Sequence, residues 1–117
     1  MIIPLLKIQN QIKVFHWQTK SYAEHKALDS FGDSFGTLVD KLIESYIGCC
    51  GELKLEIPPT ITLKDYSGNP SILNFLNTTY EYLLNLQKTL SSKSELVNIL
   101  DEMKSEVDQL KYLLRLS

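Results

Sequence analysis

Cysteine is scarce in this chain: only Cys49 and Cys50 occur, and they are adjacent. The N-terminal sequence MIIPLLKIQNQIK also lacks the charged start and the small-residue cleavage site of a signal peptide. A framework of structural disulfides needs an oxidising compartment and several paired cysteines. We therefore expect a reduced, buried or partly buried cysteine pair.

Long apolar runs are absent as well, since none approaches the roughly 18 residues of a membrane span. Together with the missing signal peptide, this predicts a cytoplasmic protein that does not bind membranes. The length of 117 residues predicts one domain, covering residues 1–117, that is large enough for a core of its own.

The chain has no run of basic residues: its twelve lysines and arginines are scattered, the net charge is −2 and the pI is about 5.6. Binding to duplex DNA gains much of its free energy from counterions released when basic groups neutralise phosphates. We therefore predict no appreciable DNA binding at physiological salt. Gel-shift assays at moderate salt check this, and salt-sensitive retardation of duplex DNA without bridging metal ions would contradict it.

Histidine is equally scarce, with His16 and His25 alone, and no Glu-x-x-His motif occurs. The ordinary di-iron site inside a single four-helix bundle takes that motif from two of its helices. That type of site is therefore not expected here.

The apolar periodicity predicts an all-α bundle of four helices. The first two cover about residues 3–21 and 25–52, and the third runs from Asn69-Pro70 to about residue 90. A capping box at Ser92 and Glu95 starts the fourth. The connection before Asn69 is long for a bundle and predicts a crossover along its length. The apolar seams of the first and fourth helices are Leu5, Ile8, Ile12 and Phe15, and Leu96, Leu100, Met103, Val107, Leu110 and Leu114.

Four polar residues share one face of the second helix. Measured around the axis from His25, helical geometry puts Asp29 at about 40°, Asp40 at about 60° and Glu44 at about 100°. Asp29 and Asp40 are about 16 Å apart along the axis, so one ion with bonds of about 2 Å cannot contact both. An antiparallel second copy, crossing near Phe35, would bring His25 and Asp29 of one chain to Asp40 and Glu44 of the other.

Such a crossing creates two identical sites about a two-fold axis. Gly32 and Gly36 lie on the same face, at about 20° on either side of His25 around the helix axis. Glycine at these positions permits close backbone approach. A tight turn at residues 21–24 would fold the first helix back and place His16 opposite Asp29. Imidazole with carboxylates suits Fe(II) and leaves positions open for an oxidant.

The motif resembles that of the Dps-type mini-ferritins, the DNA-protecting proteins of starved cells. In that family, His-Trp on the first helix is followed by His-x3-Asp-x10-Asp-x3-Glu along the second. Here His16-Trp17 matches the first element. The second is matched at every spacing, by His25, Asp29, Asp40 and Glu44.

The resemblance implies a ferritin-like four-helix bundle with a long crossover between the second and third helices. It implies ferroxidase activity, in which hydrogen peroxide or oxygen oxidises Fe(II) and the mineral is stored in a hollow shell, as a homo-oligomer that is at least a dimer and by resemblance a dodecamer. The metal-binding and catalytic residues would be His16, His25 and Asp29 of one subunit with Asp40 and Glu44 of its partner.

Alternatives remain open. His16 also reads as a hydrogen-bonded histidine at a helix edge, His25 as a surface residue, and the carboxylates as a solvated face. Asp33 is an ordinary polar residue or an extra ligand, and Trp17 is expected in core or interface packing. The function classes are a ferroxidase mini-ferritin, a metal-binding protein without turnover that holds zinc in the same ligands, and a structural ferritin-like module whose site has decayed.

Overall fold

Four α-helices form the regular structure in the computed structural model, which describes residues 1–116. They are α1 (Ile2–Gln18), α2 (Tyr22–Cys50), α3 (Asn69–Thr89) and α4 (Ser94–Leu114). Residues 1–116 contain no strand, so the prediction of an all-helical chain is confirmed. Over the same residues, no helix combines the length and the apolar character that a membrane span requires.

The helices pack around one apolar core, with α1 against α2, α2 against α4 and α4 against α3. The predicted seams of α1 and α4 are confirmed, because every residue in them is at most 4% exposed. From α2 the core receives Leu28, Phe31, Phe35, Val39 and Leu42. Each such side chain stabilises the fold by about 1.5–3 kcal/mol through its transfer from water.

The turn between α1 and α2 lies three residues earlier in the chain than the sequence predicts. α1 ends at Gln18 rather than residue 21, and α2 begins at Tyr22 rather than residue 25. The reason is Ser21, whose hydroxyl accepts a hydrogen bond from the Glu24 amide at 3.2 Å and so caps α2. His25 therefore lies in the first turns of α2 and not at its border.

The predicted capping box at Ser92 and Glu95 is wrong. The N-cap of α4 is Lys93, and no side chain caps this helix end. The hairpin of α3 and α4 is held instead by Gln87, which is 9% exposed and donates to the Val97 carbonyl at 2.9 Å and the Asp101 carboxylate at 2.7 Å. The sequence also suggests Asn69 as the cap of α3, because Asn is a favoured capping residue and Pro70 follows it. In the structure Gly68 occupies that position, and Asn69 is the first residue of the helix.

The 51–68 connection lies along α1. It begins at Gly51 and ends at Gly68, whose φ angles of 106° and 95° favour glycine. Glu56 accepts from the Ile3 amide at 3.0 Å, near the start of α1. Further along, the Gln11 side chain pairs with the backbone N–H and carbonyl of Lys64, both at 2.8 Å.

The last part of the 51–68 connection reaches the end of α1. There the Gln18 side chain accepts from the Tyr66 amide at 2.6 Å and donates to Asp65 at 2.9 Å. The connection thus follows α1 from Ile3 to Gln18. As a result, α3 begins near the start of α2.

The expectation of a reduced, buried or partly buried cysteine pair is also wrong. Cys49 and Cys50 are joined by a disulfide, and both are exposed. They lie in the last turn of α2, beyond Leu42, which is the last fully buried residue of this helix.

Candidate metal centre

His16 and His25 hold each other at the α1–α2 hairpin. Nδ1 of His16 lies 2.9 Å from the carbonyl oxygen of His25, and Nδ1 of His25 lies 2.8 Å from the carbonyl oxygen of His16. The His16 carbonyl is in the last turn of α1, where backbone oxygens lack helical partners. A carbonyl oxygen only accepts, so both Nδ1 atoms carry a proton, and in a neutral imidazole the lone pair is then on Nε2.

The two imidazole rings are stacked, with centroids 3.9 Å apart and planes 17° from parallel. Asp29, one turn after His25, brings a carboxylate oxygen to 3.9 Å from Nε2 of His16. His16 is 9% exposed, whereas the Asp29 side chain is 47% exposed. The structure thus brings three of the five predicted residues together, at a place open to solvent on the carboxylate side.

A groove of about 300 Å³ runs from this place along the α1–α2 face. His16 and Asp29 line it together with Lys13, Gly32 and Asp33. Asp33, one helical turn after Asp29, is exposed and also lines the groove. The groove places two carboxylates next to an imidazole and leaves room for ions and water.

Asp40 and Glu44 lie apart from the other three residues. Both are exposed on α2, and Asp40 is about 16 Å further along the helix than Asp29. Across residues 1–116, no three His, Cys, Asp or Glu side chains are arranged to hold a metal ion within the single chain. Any complete site that uses all five residues therefore needs a second copy of the chain.

Gly32 and Gly36 have a neighbour within the chain. A Cβ atom on Gly36 would lie 3.2 Å from Nε2 of Gln9, and one on Gly32 would lie 4.0 Å from a methyl carbon of Ile12. Both glycines therefore face α1, Gly36 at a distance tighter than ordinary contact and Gly32 at an ordinary one. Close approach to α1 is a reason for these glycines that the sequence analysis missed.

Trp17 is not a core residue, contrary to one of its two predicted roles. It is 69% exposed, and the Lys13 ammonium lies 6.0 Å from its ring centroid. Tyr22, 75% exposed, is in the first turn of α2, and its ring centroid is 6.4 Å from that of His25. Two large aromatic side chains are thus exposed beside the histidine pair.

Glu24 is a buried carboxylate that the sequence analysis missed. It is 4% exposed and accepts hydrogen bonds from Thr19 at 2.7 Å, Tyr66 at 2.8 Å and Asn69 at 2.7 Å. Burial alone would raise the pKa of Glu24, but the bonds from Asn69, Thr19 and Tyr66 outweigh it and lower the pKa from 4.5. The Ser-x-x-Glu spacing of Ser21 and Glu24 is the signal that would have indicated this position.

A protein-family model described as a family of unknown function, DUF5856, matches residues 16–114. Because the match covers most of the chain, the chain belongs to this family. The matched range begins at His16 and contains all five residues of the predicted site. No curated protein and no solved structure matches the chain.

Proposed function

We propose that this member of the DUF5856 family is a mini-ferritin of the Dps type, which binds Fe(II) as its substrate and oxidises it at a site shared between two subunits. The observation that carries the proposal is the reciprocal hydrogen bonding of His16 and His25. Metal-binding histidines almost always donate their other ring N–H to a carbonyl or carboxylate, which fixes the tautomer and the ring orientation. Both histidines of this chain have that arrangement.

The stacking of the rings favours two ions over one. A metal ion lies close to the plane of the imidazole that binds it, and the two planes here are nearly parallel with ring centroids 3.9 Å apart. One ion would be in both planes only if a ring rotated away from its carbonyl partner. We therefore assign one iron to each imidazole, so that the site would hold a pair of ions as two-metal sites do.

Asp29 and the partner subunit complete the ligands. Asp29 is already near Nε2 of His16, and Asp40 and Glu44 of a second copy would approach it from across the groove if antiparallel α2 helices crossed near Phe35. Carboxylates offset the charge of the ions, and one of them can bridge both. Hard oxygen ligands also favour Fe(III) over Fe(II), which supports oxidation at this place.

The redox balance of the reaction is simple. Each Fe(II) gives up one electron, and hydrogen peroxide takes two electrons with two protons to become two molecules of water. Two irons held side by side therefore match one molecule of peroxide. With oxygen as the oxidant, the same pair supplies two of the electrons needed.

The ferritin-like form of the bundle belongs to this proposal. The course of the 51–68 connection along α1 is what a crossover between the second and third helices requires, since it returns the chain to the end where α2 began. The packing of α2 against α4, and of α4 against α3, suits the same arrangement. A dodecameric shell that stores the mineral is the larger assembly we propose.

A structural role is the second candidate, and the same hydrogen bonds favour it. Each imidazole closes the hairpin by donating to a carbonyl of the other helix, and the bond to the His16 carbonyl also satisfies an oxygen that has no helical partner. These bonds stabilise the turn whether or not iron binds. A non-catalytic site that holds zinc in these ligands is the intermediate case. Measurements of iron binding and of turnover distinguish the three candidates. A ferroxidase binds iron and oxidises it, a non-catalytic site binds metal without turnover, and a structural hairpin does neither.

We expect Asp29→Asn to lower Fe(II) affinity at least about tenfold and to abolish oxidation above the uncatalysed rate, because it removes the carboxylate beside His16. Anaerobic titration calorimetry measures the binding, and absorbance of Fe(III) after addition of hydrogen peroxide or oxygen measures the turnover. Asp108→Asn on α4 is the matched control and should behave as wild type. Wild-type protein that accelerates oxidation with neither oxidant would end the ferroxidase proposal.

We expect the wild-type chain to form at least a dimer, and Gly36→Leu to weaken both the dimer and the metal binding. Because a larger side chain at this position also crowds Gln9, the change is made together with Gln9→Ala, and Gln9→Ala alone is one control. Gly48→Leu on the same helix is the second, since Gly48 has open space around it. Analytical ultracentrifugation gives the masses, and a wild-type monomer at high concentration would contradict the shared site.

A further inference from the structure

A second cavity lies on the other side of α1, away from the histidine pair. It has a volume of about 540 Å³, is open to solvent on one side and is lined by α1, α3 and the 51–68 connection. It exists because α1 packs mainly against α2, and α3 mainly against α4, so that the connection covers the gap between α1 and α3. Its volume is in the range of about 300–1,000 Å³ that small-molecule sites occupy.

The walls of this cavity are largely apolar. Ile8 and Phe15 line it from α1, and Phe75 and Tyr82 line it from α3. The rings of Phe15 and Phe75 meet edge to face at 6.0 Å, which closes the wall between the two helices. Burial, with a smaller contribution from the charge of Glu56, raises the pKa of Tyr82 to about 12, so its hydroxyl remains protonated at neutral pH.

Thr79, in the lining of the cavity, has a polar group without a partner. It is 2% exposed, and its hydroxyl has no hydrogen-bond partner among the described residues. Thr37, Thr78 and Thr89 also lie in helices, and each donates to the carbonyl four residues earlier. Buried hydroxyls are nearly always satisfied. An occupant of the cavity would supply the missing partner once the Thr79 side chain turned toward it.

More positive than negative side chains line the cavity. Lys7 and Lys64 line it, and neither ammonium forms an ion pair within residues 1–116. Its one carboxylate, that of Asp65, already accepts a hydrogen bond from Gln18. The bidentate pairing of Gln11 with the Lys64 backbone fixes the connection, and with it the position of Lys64, over the cavity.

We propose that this cavity binds a small anionic amphipathic molecule. Its apolar chain or ring would pack against Ile8, Phe15 and Phe75, and its anionic head would meet Lys7 and Lys64 at the rim. The Thr79 hydroxyl would donate to the head. This site is independent of the iron proposal, because the two use opposite sides of α1.

Decanoate and 1-decanol are the probes that test the proposal, since they share a chain and differ in charge. Isothermal calorimetry on the whole protein should show saturable binding of one decanoate per chain. Lys7→Gln combined with Lys64→Gln should raise the Kd of decanoate at least about tenfold and change that of decanol less than twofold. Absence of saturable decanoate binding, or equal effects on both probes, overturns the proposal.

Filling the cavity should remove binding of both probes. Thr78→Trp is made at the exposed rim, and Asn74→Trp takes its place if circular dichroism shows loss of the fold. Thr89→Trp, at the end of the same helix and outside the cavity, is the matched control and should leave both Kd values unchanged. If folded protein with tryptophan in the rim binds as tightly as wild type, the probes bind elsewhere and the proposal is wrong.

Thr79→Val tests the unpaired hydroxyl separately, because valine keeps the shape and loses the polar group. The Kd of decanoate should rise about fivefold, as expected for one lost hydrogen bond. Thr89→Val is its control. An unchanged Kd in the Thr79 variant would overturn the contact assigned to this hydroxyl.

Discussion

Mixed dimers of His25→Ala and Glu44→Ala chains are expected to recover ferroxidase activity that neither variant has alone. In the shared site, His16, His25 and Asp29 of one subunit act with Asp40 and Glu44 of the other. A heterodimer of the two variants therefore has one site with all five ligands and a second site that lacks two of them. Co-refolding at equal amounts makes about half of the dimers mixed, so about one quarter of the wild-type activity should return.

The control for this experiment is a pair of variants on the same side of the site. His25→Ala mixed with Asp29→Asn should recover no ferroxidase activity, because each of the two sites in that heterodimer still lacks one ligand. Fe(III) absorbance measures the turnover, and native mass spectrometry verifies that heterodimers form. Recovery in neither mixture, with heterodimers present, would show that the five residues do not form one site across two chains.

The core was predictable from the sequence because it depends on local periodicity. The seams of α1 and α4 recur every three or four residues, and helical geometry alone puts them on one face. The same geometry put His25 and Asp29 together, one turn apart. Whether Asp40 and Glu44 of a second copy reach them remains a prediction.

The details of the hairpin were not predictable by the same means. The reciprocal bonds of His16 and His25 require a turn that ends at Ser21. The apolar periodicity instead predicts that α1 continues to residue 21, whereas α1 ends at Gln18. The burial of the Glu24 carboxylate depends on hydrogen bonds from Tyr66 and Asn69, which are 42 and 45 residues away along the chain. Contacts of that separation leave no periodic signal, so only the fold reveals them.

Glu24→Ala is expected to destabilise the fold by about 3 kcal/mol, since it leaves the partly buried donors of Thr19, Tyr66 and Asn69 without their shared acceptor. Those donors belong to the α1–α2 turn, the 51–68 connection and the start of α3, so one side chain joins three segments. Glu24→Gln should cost only about 1 kcal/mol, because its carbonyl keeps two of the donors and the Asn69 amide can turn to accept. Urea unfolding followed by circular dichroism, at one fixed protein concentration, measures both.

Glu95→Ala is the matched control, because Glu95 is also in the first turn of its helix but is exposed. Its change in the free energy of unfolding should be within about 0.5 kcal/mol. If Glu24→Ala costs no more than this control, the three hydrogen bonds do not contribute to stability. A loss as large in Glu24→Gln as in Glu24→Ala would instead show that the charge matters more than the acceptor geometry.

The stability that Glu24 contributes should also depend on pH. The three hydrogen bonds outweigh the effect of burial and hold the pKa of Glu24 in the folded chain below 4.5, so the folded state favours the ionised form. Its contribution is therefore fully present above the unfolded-state pKa of about 4.5 and is lost as the pH falls through the lower folded-state value. The stability difference between wild type and Glu24→Gln should be constant from pH 7 to about pH 5 and should shrink below that, whereas Glu95→Ala should follow wild type throughout. A difference that stays constant down to pH 3 would mean that Glu24 does not titrate as its hydrogen bonds require.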